Sequence, residues 1–157
     1  MILLAEDSPD DEFTFRRVLQ SAGVQNPITA VRDGVDAVAY LKGEGHYANR
    51  DEFPLPSVLF LDLKMQRMDG GNVLKWLKRQ RRFNKILVVV LTHLEEAKEL
   101  YEAYSLGADS FLGKPLTRMD MQDLVQHFPG YWTCAPAPSN RKKQVVAALK
   151  EETVGAH

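Results

Sequence analysis

A single cysteine, Cys134, stands in 157 residues, so no disulfide can form within the chain and a cytoplasmic, reducing setting is expected. Long apolar runs are missing too. The longest, Ile86 to Leu91, falls far short of the about 18 residues a membrane span requires, so no membrane partner is expected. The amino terminus, Met1-Ile2-Leu3-Leu4-Ala5-Glu6, turns acidic too soon for a secretory signal. Neither sign of charge dominates: 20 Lys and Arg against 21 Asp and Glu leave a net charge of -1, which argues against a nucleic-acid partner. There is no internal repeat and no long low-complexity tract. What remains is one domain, of a size that buries about 70% of its unfolded surface.

The strongest feature present is Val58-Leu59-Phe60-Leu61-Asp62, an unbroken apolar run that stops on a carboxylate and is followed by Met68-Asp69-Gly70. A run without polar alternation predicts a strand buried on both faces, inside a parallel sheet. Asp62 then sits at the carboxyl end of that strand, where open α/β sheets bind their ligands. Taken alone, it is more simply a strand-terminating residue that caps a turn.

Ile2-Leu3-Leu4-Ala5 predicts a first buried strand running into Glu6-Asp7-Ser8-Pro9-Asp10-Asp11. Ser8 is the expected N-cap of the next helix, with Pro9 at its first position and Asp11 completing a capping box. Phe15, Val18, Leu19 and Ala22 mark its inner face and Gly23 its end. Asp10 and Asp11 suit a helix amino terminus through the macrodipole and need no ligand; Glu6 and Asp7 precede the cap and are explained less well that way. Ile28 to Val31 predicts a second strand, and Ala37, Val38 and Leu41 a short helix after Asp33-Gly34. Gly43 to Pro56 is polar and long for a connection, which makes it a surface excursion or an interaction loop.

After Gly70-Gly71, Val73, Leu74 and Leu77 line the inside of a helix whose Lys75, Lys78, Arg79, Arg81 and Arg82 form a solvated basic face. Ile86 to Leu91 predicts a fourth strand ending in Thr92-His93, and Leu94, Ala97, Tyr101 and Tyr104 mark the helix that follows. Ser110-Phe111-Leu112 is a fifth strand before Lys114-Pro115; Met121, Leu124, Val125 and Phe128 mark a last helix, stopped by Pro129-Gly130. The alternation predicts an α/β fold: a five-stranded, doubly wound parallel sheet of flavodoxin-like layout with helices on both faces. Residues 1–128 form the domain and 129–157 a carboxyl-terminal extension, with a helix expected from Asn140 to Glu152 although its terminal charges oppose the macrodipole.

In that layout Glu6, Asp7, Asp62, Thr92 and Lys114 converge from four strand ends. Carboxylates brought together repel by about 4 kcal/mol per pair at about 4 Å and an effective dielectric near 20. A divalent cation relieves this, and Mg²⁺ suits a site with few protein carboxylates and room for phosphate oxygens. Asp62 is then placed to attack a phosphoryl donor, with Lys114 as a point charge for the phosphoryl oxygens and Thr92 as a hydroxyl donor.

These motifs, Glu6-Asp7-Ser8, Leu61-Asp62 with Met68-Asp69-Gly70, Leu91-Thr92 and Phe111-Leu112-Gly113-Lys114-Pro115, closely resemble those of response-regulator receiver domains of two-component signalling, over about Met1 to Phe128. The resemblance implies that Asp62 is the phosphoacceptor, supplied by a sensor histidine kinase. It implies that Asp7, Asp62 and the backbone carbonyl of Lys64 ligate Mg²⁺, with Glu6 acting through metal-bound water. Thr92 and Phe111 match the switch pair, and the Lys114-Pro115 bond is expected to be cis. Catalysis would be confined to the chain's own phosphorylation and dephosphorylation, so the protein is not expected to be an enzyme. The Gly43 to Pro56 loop and Tyr131-Trp132 further resemble stand-alone regulators paired with bacterial phytochrome histidine kinases. A homodimer is expected through the tail, or through the face of the helix after the fourth strand, the fifth strand and the last helix.

Some positions depart from the family. Gln66 stands where proline is usual after the phosphoacceptor, leaving φ unfixed there, and Phe111 cannot donate the hydrogen bond of a tyrosine. Leu94, with Lys64, lies where the family tunes phosphoryl lifetime, and Leu94 is expected to shield the acyl phosphate. Other readings compete. A receiver-like scaffold would bind partners without phosphorylation. An aspartyl-nucleophile phosphatase resembling the haloacid-dehalogenase-like enzymes wants a second Asp where Lys64 stands. A flavin site would need a phosphate loop in place of the repelling Glu6 to Asp11.

Overall fold

The computed structural model describes residues 1–93 and 102–135. Four-residue Ile2–Ala5 (β1) leads into Pro9–Ser21 (α1), then Ile28–Val31 (β2), Gly34–Lys42 (α2), Val58–Asp62 (β3), Gly70–Lys78 (α3), Leu87–Thr92 (β4), Ser110–Gly113 (β5) and Arg118–His127 (α4). Residues 102–105 are the helical end of the segment between β4 and β5. The residues Leu94 to Tyr101, where the start of that helix was expected, and Asn140 to Glu152 lie outside the described residues.

All four strand pairs are parallel, in the order β2-β1-β3-β4-β5. Every residue of β1, β3 and β4 is buried. Alternate residues supply opposite cores. Leu3, Ala5, Leu59, Leu61, Val88 and Val90 face Ala37, Tyr40 and Leu41 of α2 and Val73 and Leu74 of α3. Ile2, Leu4, Val58, Phe60, Val89 and Leu91 face Phe15 and Leu19 of α1 and Met121 and Leu124 of α4. An apolar run without alternation is what burial on both faces requires.

Local chemistry sets the helix starts. Ser8, Asp33, Asp69 and Thr117 are N-caps whose side chains accept backbone N–H groups from Asp11, Asp36, Asn72 and Asp120. The capping box expected of Asp11 is not formed. The Ser8 N–H donates instead to Oε1 of Glu6 at 3.2 Å, and the Asp11 carboxylate turns to the Lys114 ammonium at 3.1 Å. An ammonium is a stronger partner for a carboxylate than a neutral amide, which accounts for the exchange.

The Gly43 to Pro56 stretch is an excursion packed back on the body of the domain. Tyr47 and Phe53 meet edge to face at 5.3 Å and both lie against the buried ring of Tyr40, at 5.0 and 6.0 Å. Arg50 donates to the carbonyls of Tyr40 at 2.8 Å, Leu41 at 2.6 Å and Phe53 at 3.2 Å, closing the carboxyl end of α2. Gly43, at φ +68°, takes the left-handed turn this closure needs.

Beyond α4 the chain returns to the α1 side. Trp132 packs on Phe60 and donates from Nε1 to the Phe128 carbonyl at 2.9 Å. Buried Asn26 donates to the Tyr131 carbonyl at 3.0 Å and accepts from the Thr133 amide at 2.6 Å, and Val24 and Cys134 form an antiparallel bridge.

Candidate functional site

The parallel sheet brings the carboxyl ends of its strands to one edge. β1 delivers Glu6, whose amide continues the ladder to the Val31 carbonyl at 3.0 Å, and β3 delivers Asp62. Both are buried, at 1% and 6% exposure, and Thr92 at the end of β4 is exposed by 3%. Gly70 lets α3 begin directly beneath this edge, since a Cβ there would collide with the Asp62 carbonyl.

Carboxylate oxygens of Glu6, Asp7 and Asp62 lie within 4.8 Å of one another. Lys114, beyond β5, is only 10% exposed and donates from Nζ to Asp62 Oδ2 at 2.9 Å, Glu6 Oε2 at 2.8 Å and Asp11 Oδ2 at 3.1 Å. The Lys64 amide donates to the other Asp62 oxygen at 3.0 Å. Asp11 was missed as a member of this network because the macrodipole already accounted for it. Asp11 and Lys114 are 103 positions apart in the chain.

Burial governs the titration. It pushes the Glu6 carboxyl up to about 7, against the pull of Lys114 and with the help of the Asp62 charge. Burial would lower the Lys114 ammonium, but its hydrogen bonds to Glu6 and Asp62 outweigh that and hold it above the usual lysine range. A single ammonium among several carboxylates leaves negative charge in excess. Three convergent carboxylates are a hard, all-oxygen donor set that fits a divalent cation.

Two expected members stand apart from Asp62 in this arrangement. The Thr92 hydroxyl donates to the His93 carbonyl at 3.3 Å, while the Thr92 carbonyl accepts the Lys114 amide at 2.8 Å. Phe111 lies edge-on to Tyr104, with ring centroids 4.9 Å apart, and Tyr104 is 55% exposed. The Lys114-Pro115 bond is cis, as expected.

The profile of the response regulator receiver domain matches residues 2–126. The chain belongs to the response-regulator receiver family. Among receivers it is similar to the response regulator Rcp1 of Synechocystis sp. (strain ATCC 27184 / PCC 6803 / Kazusa), with 32% identity over 132 residues, 84% of this chain and 88% of that one. A structure of Rcp1 in its Mn²⁺-bound form has a TM-score of 0.67 at 31% identity, covering 87% of this chain and 98% of that one. The bacteriophytochrome response regulator RtBRR has a TM-score of 0.76 at 27% identity, covering 99% of this chain and 93% of that one. The phosphorylated cyanobacterial phytochrome response regulator RcpA has a TM-score of 0.65 at 30% identity, covering 88% of this chain and 97% of that one. This receiver is thus a two-component response regulator, with a signalling role and a histidine kinase as the implied partner. No helix among the described residues is long and apolar enough to cross a membrane.

Proposed function

We propose that Asp62 accepts a phosphoryl group from the phosphohistidine of a bacterial phytochrome kinase and that Thr92 and Lys114 read its arrival. The observation that carries this is the convergence of Glu6, Asp7 and Asp62 on one sheet edge with the Lys114 ammonium on Asp62. In the transfer, the bond from phosphorus to the histidine nitrogen breaks as a bond to an Asp62 carboxylate oxygen forms, and the departing imidazole takes up a proton. Asp7, Asp62 and the Lys64 carbonyl would hold Mg²⁺, with Glu6 acting through water. The ion would neutralise charge on the phosphoryl oxygens. Lys114 is already hydrogen-bonded to Asp62 and is a flexible point charge able to follow the new anion. The phytochrome partner is supported by similarity to RtBRR, RcpA and Rcp1.

Among the described residues the Thr92 hydroxyl has only its neighbour's carbonyl to leave, and β4 pairs with β5, which carries Phe111. A shift of Thr92 towards a phosphoryl oxygen would repack Phe111 and with it the exposed Tyr104, a surface suited to a partner or to a second copy of the chain. A reducing, cytoplasmic setting is in keeping with a single, exposed Cys134.

Intact-protein mass after incubation with acetyl phosphate and Mg²⁺, beside Asp62→Ala, tests the assignment. One phosphoryl adduct on the wild type and none on the variant is expected. An unmodified wild type would leave a scaffold that works without phosphorylation.

A further inference from the structure

The loop between β3 and α3 is held at its base by Leu63, whose amide donates to the Leu91 carbonyl at 3.4 Å and whose carbonyl accepts the Gly70 amide at 3.1 Å, and further anchors lie on either side of Met65. At its near end the Lys64 amide donates to Asp62 at 3.0 Å. At its far end Arg67 reaches across to the start of α2, donating from Nε to Oδ2 of the N-cap Asp33 at 2.5 Å and from an Nη nitrogen to Oδ1 of Asp36 in the first turn at 3.4 Å. The Met68 carbonyl next to it accepts the Gly34 amide at 3.0 Å. Gly34 is buried so closely against Met68 that a Cβ would collide with that carbonyl.

Asp33 is built for this contact. It is 7% exposed, and its two oxygens are divided: Oδ1 caps α2 through the Asp36 amide at 2.9 Å, and Oδ2 faces Arg67. Burial alone would raise its carboxyl, but the Arg67 hydrogen bond and the Asp36 amide hold it below the usual range. Arg67 itself sits at φ +61°, the only described non-glycine residue with positive φ. A side chain other than Gly, Asn or Asp is rarely placed there. Its presence calls for a compensating interaction, and the two carboxylates provide one. Gln66, just before it, imposes no φ of its own where a proline would.

We propose that Arg67 is a positioning residue for the Asp62 site: clamped on Asp33 and Asp36, it fixes the loop that carries the Lys64 backbone against Asp62. The clamp takes over the restraint that residue 66 does not supply. Without it, the residues between Leu63, which is bonded to the Leu91 carbonyl and the Gly70 amide, and the Gly34 contact gain freedom, and the Lys64 amide and carbonyl lose their register on the acceptor. The consequence for phosphoryl transfer rests on the function proposed above; the consequence for loop order does not.

Amide exchange read residue by residue separates the two. Arg67→Gly removes the clamp while easing the backbone at φ +61°, and Asp33→Asn keeps the α2 cap while removing the charge. In Arg67→Gly the Lys64 amide should exchange about tenfold faster, with Leu61 and Val90 unchanged; Asp33→Asn, which leaves the Asp36 contact, should give a smaller rise, and the double variant should be no worse than Arg67→Gly. Arg67→Lys, with one ammonium in place of a fork, should fall between. The rate of adduct formation from acetyl phosphate should drop several-fold in the same order as loop protection. Unchanged Lys64 exchange in Arg67→Gly would overturn the proposal. A wild type that takes no phosphoryl group would sink the proposed function while leaving the exchange experiment to judge the clamp.

Discussion

Arg50 and Lys114 each reach into the protein and satisfy three oxygens, but the oxygens differ in kind. Arg50 spreads a planar fork over the neutral carbonyls of Tyr40, Leu41 and Phe53, two of them at the carboxyl end of α2 where the macrodipole favours a cation. That contact contains no carboxylate for a divalent cation to claim. Lys114 holds a point charge on the carboxylates of Glu6, Asp11 and Asp62, all of which other cations can claim. A cation on carbonyls makes a permanent staple. A cation on carboxylates makes a contact that a metal ion or a phosphoryl group can redistribute.

Removing Lys114 should therefore have the largest effect and one that metal repairs. Lys114→Met leaves Glu6 and Asp62 buried without their counter-charge, and breaking a buried ion pair by deleting one partner costs about 3–5 kcal/mol. Urea unfolding at pH 7 with a chelator should show a loss in this range. Millimolar Mg²⁺ should recover more stability in the variant than in the wild type, because it binds the folded state at the charge the lysine left behind. Equal gains in the two proteins would mean that Lys114 does not share its carboxylates with a metal.

Arg50→Ala sharpens the contrast from the other side. Losing charge-assisted bonds to three carbonyls should cost about 2 kcal/mol, with no change in that cost between chelator and Mg²⁺. Phosphoryl adduct formation on Asp62 should be unaffected. A metal-dependent cost at Arg50 would erase the distinction between staple and switch.

The sequence was legible where the physics is local or periodic. Unbroken apolar runs predicted β1, β3 and β4 because parallel strands are buried on both faces, and Ser8 was legible as a cap from its place before Pro9. The convergence of Glu6, Asp7, Asp62 and Lys114 followed once strand order was known, since parallel strands end together. What stayed hidden were side-chain contacts set by tertiary geometry: Asp11 with Lys114, Asp33 with Arg67 and the Asn26 amide with the Tyr131 carbonyl are 103, 34 and 105 residues apart. A rule of local spacing assigned Asp11 to a helix cap, and only the fold could show a better partner within reach.

The gentlest probe of the Lys114 site is pH, applied in metal-free buffer. The Glu6 carboxyl is raised from 4.5 to about 7 in the folded chain by burial, so between these values the folded state binds more protons than the unfolded one. Stability from this group is then fully present below 4.5 and is lost as pH rises through about 7. The change from 4.5 to about 7, which already includes the pull of Lys114, sets an upper bound of about 3 kcal/mol on the decline across that window. Glu6→Gln should flatten it, because the amide occupies the same buried place without titrating. Arg50→Ala should leave the decline intact, since carbonyl oxygens do not titrate in this range. A slope that survives in Glu6→Gln would move the titrating charge away from Glu6.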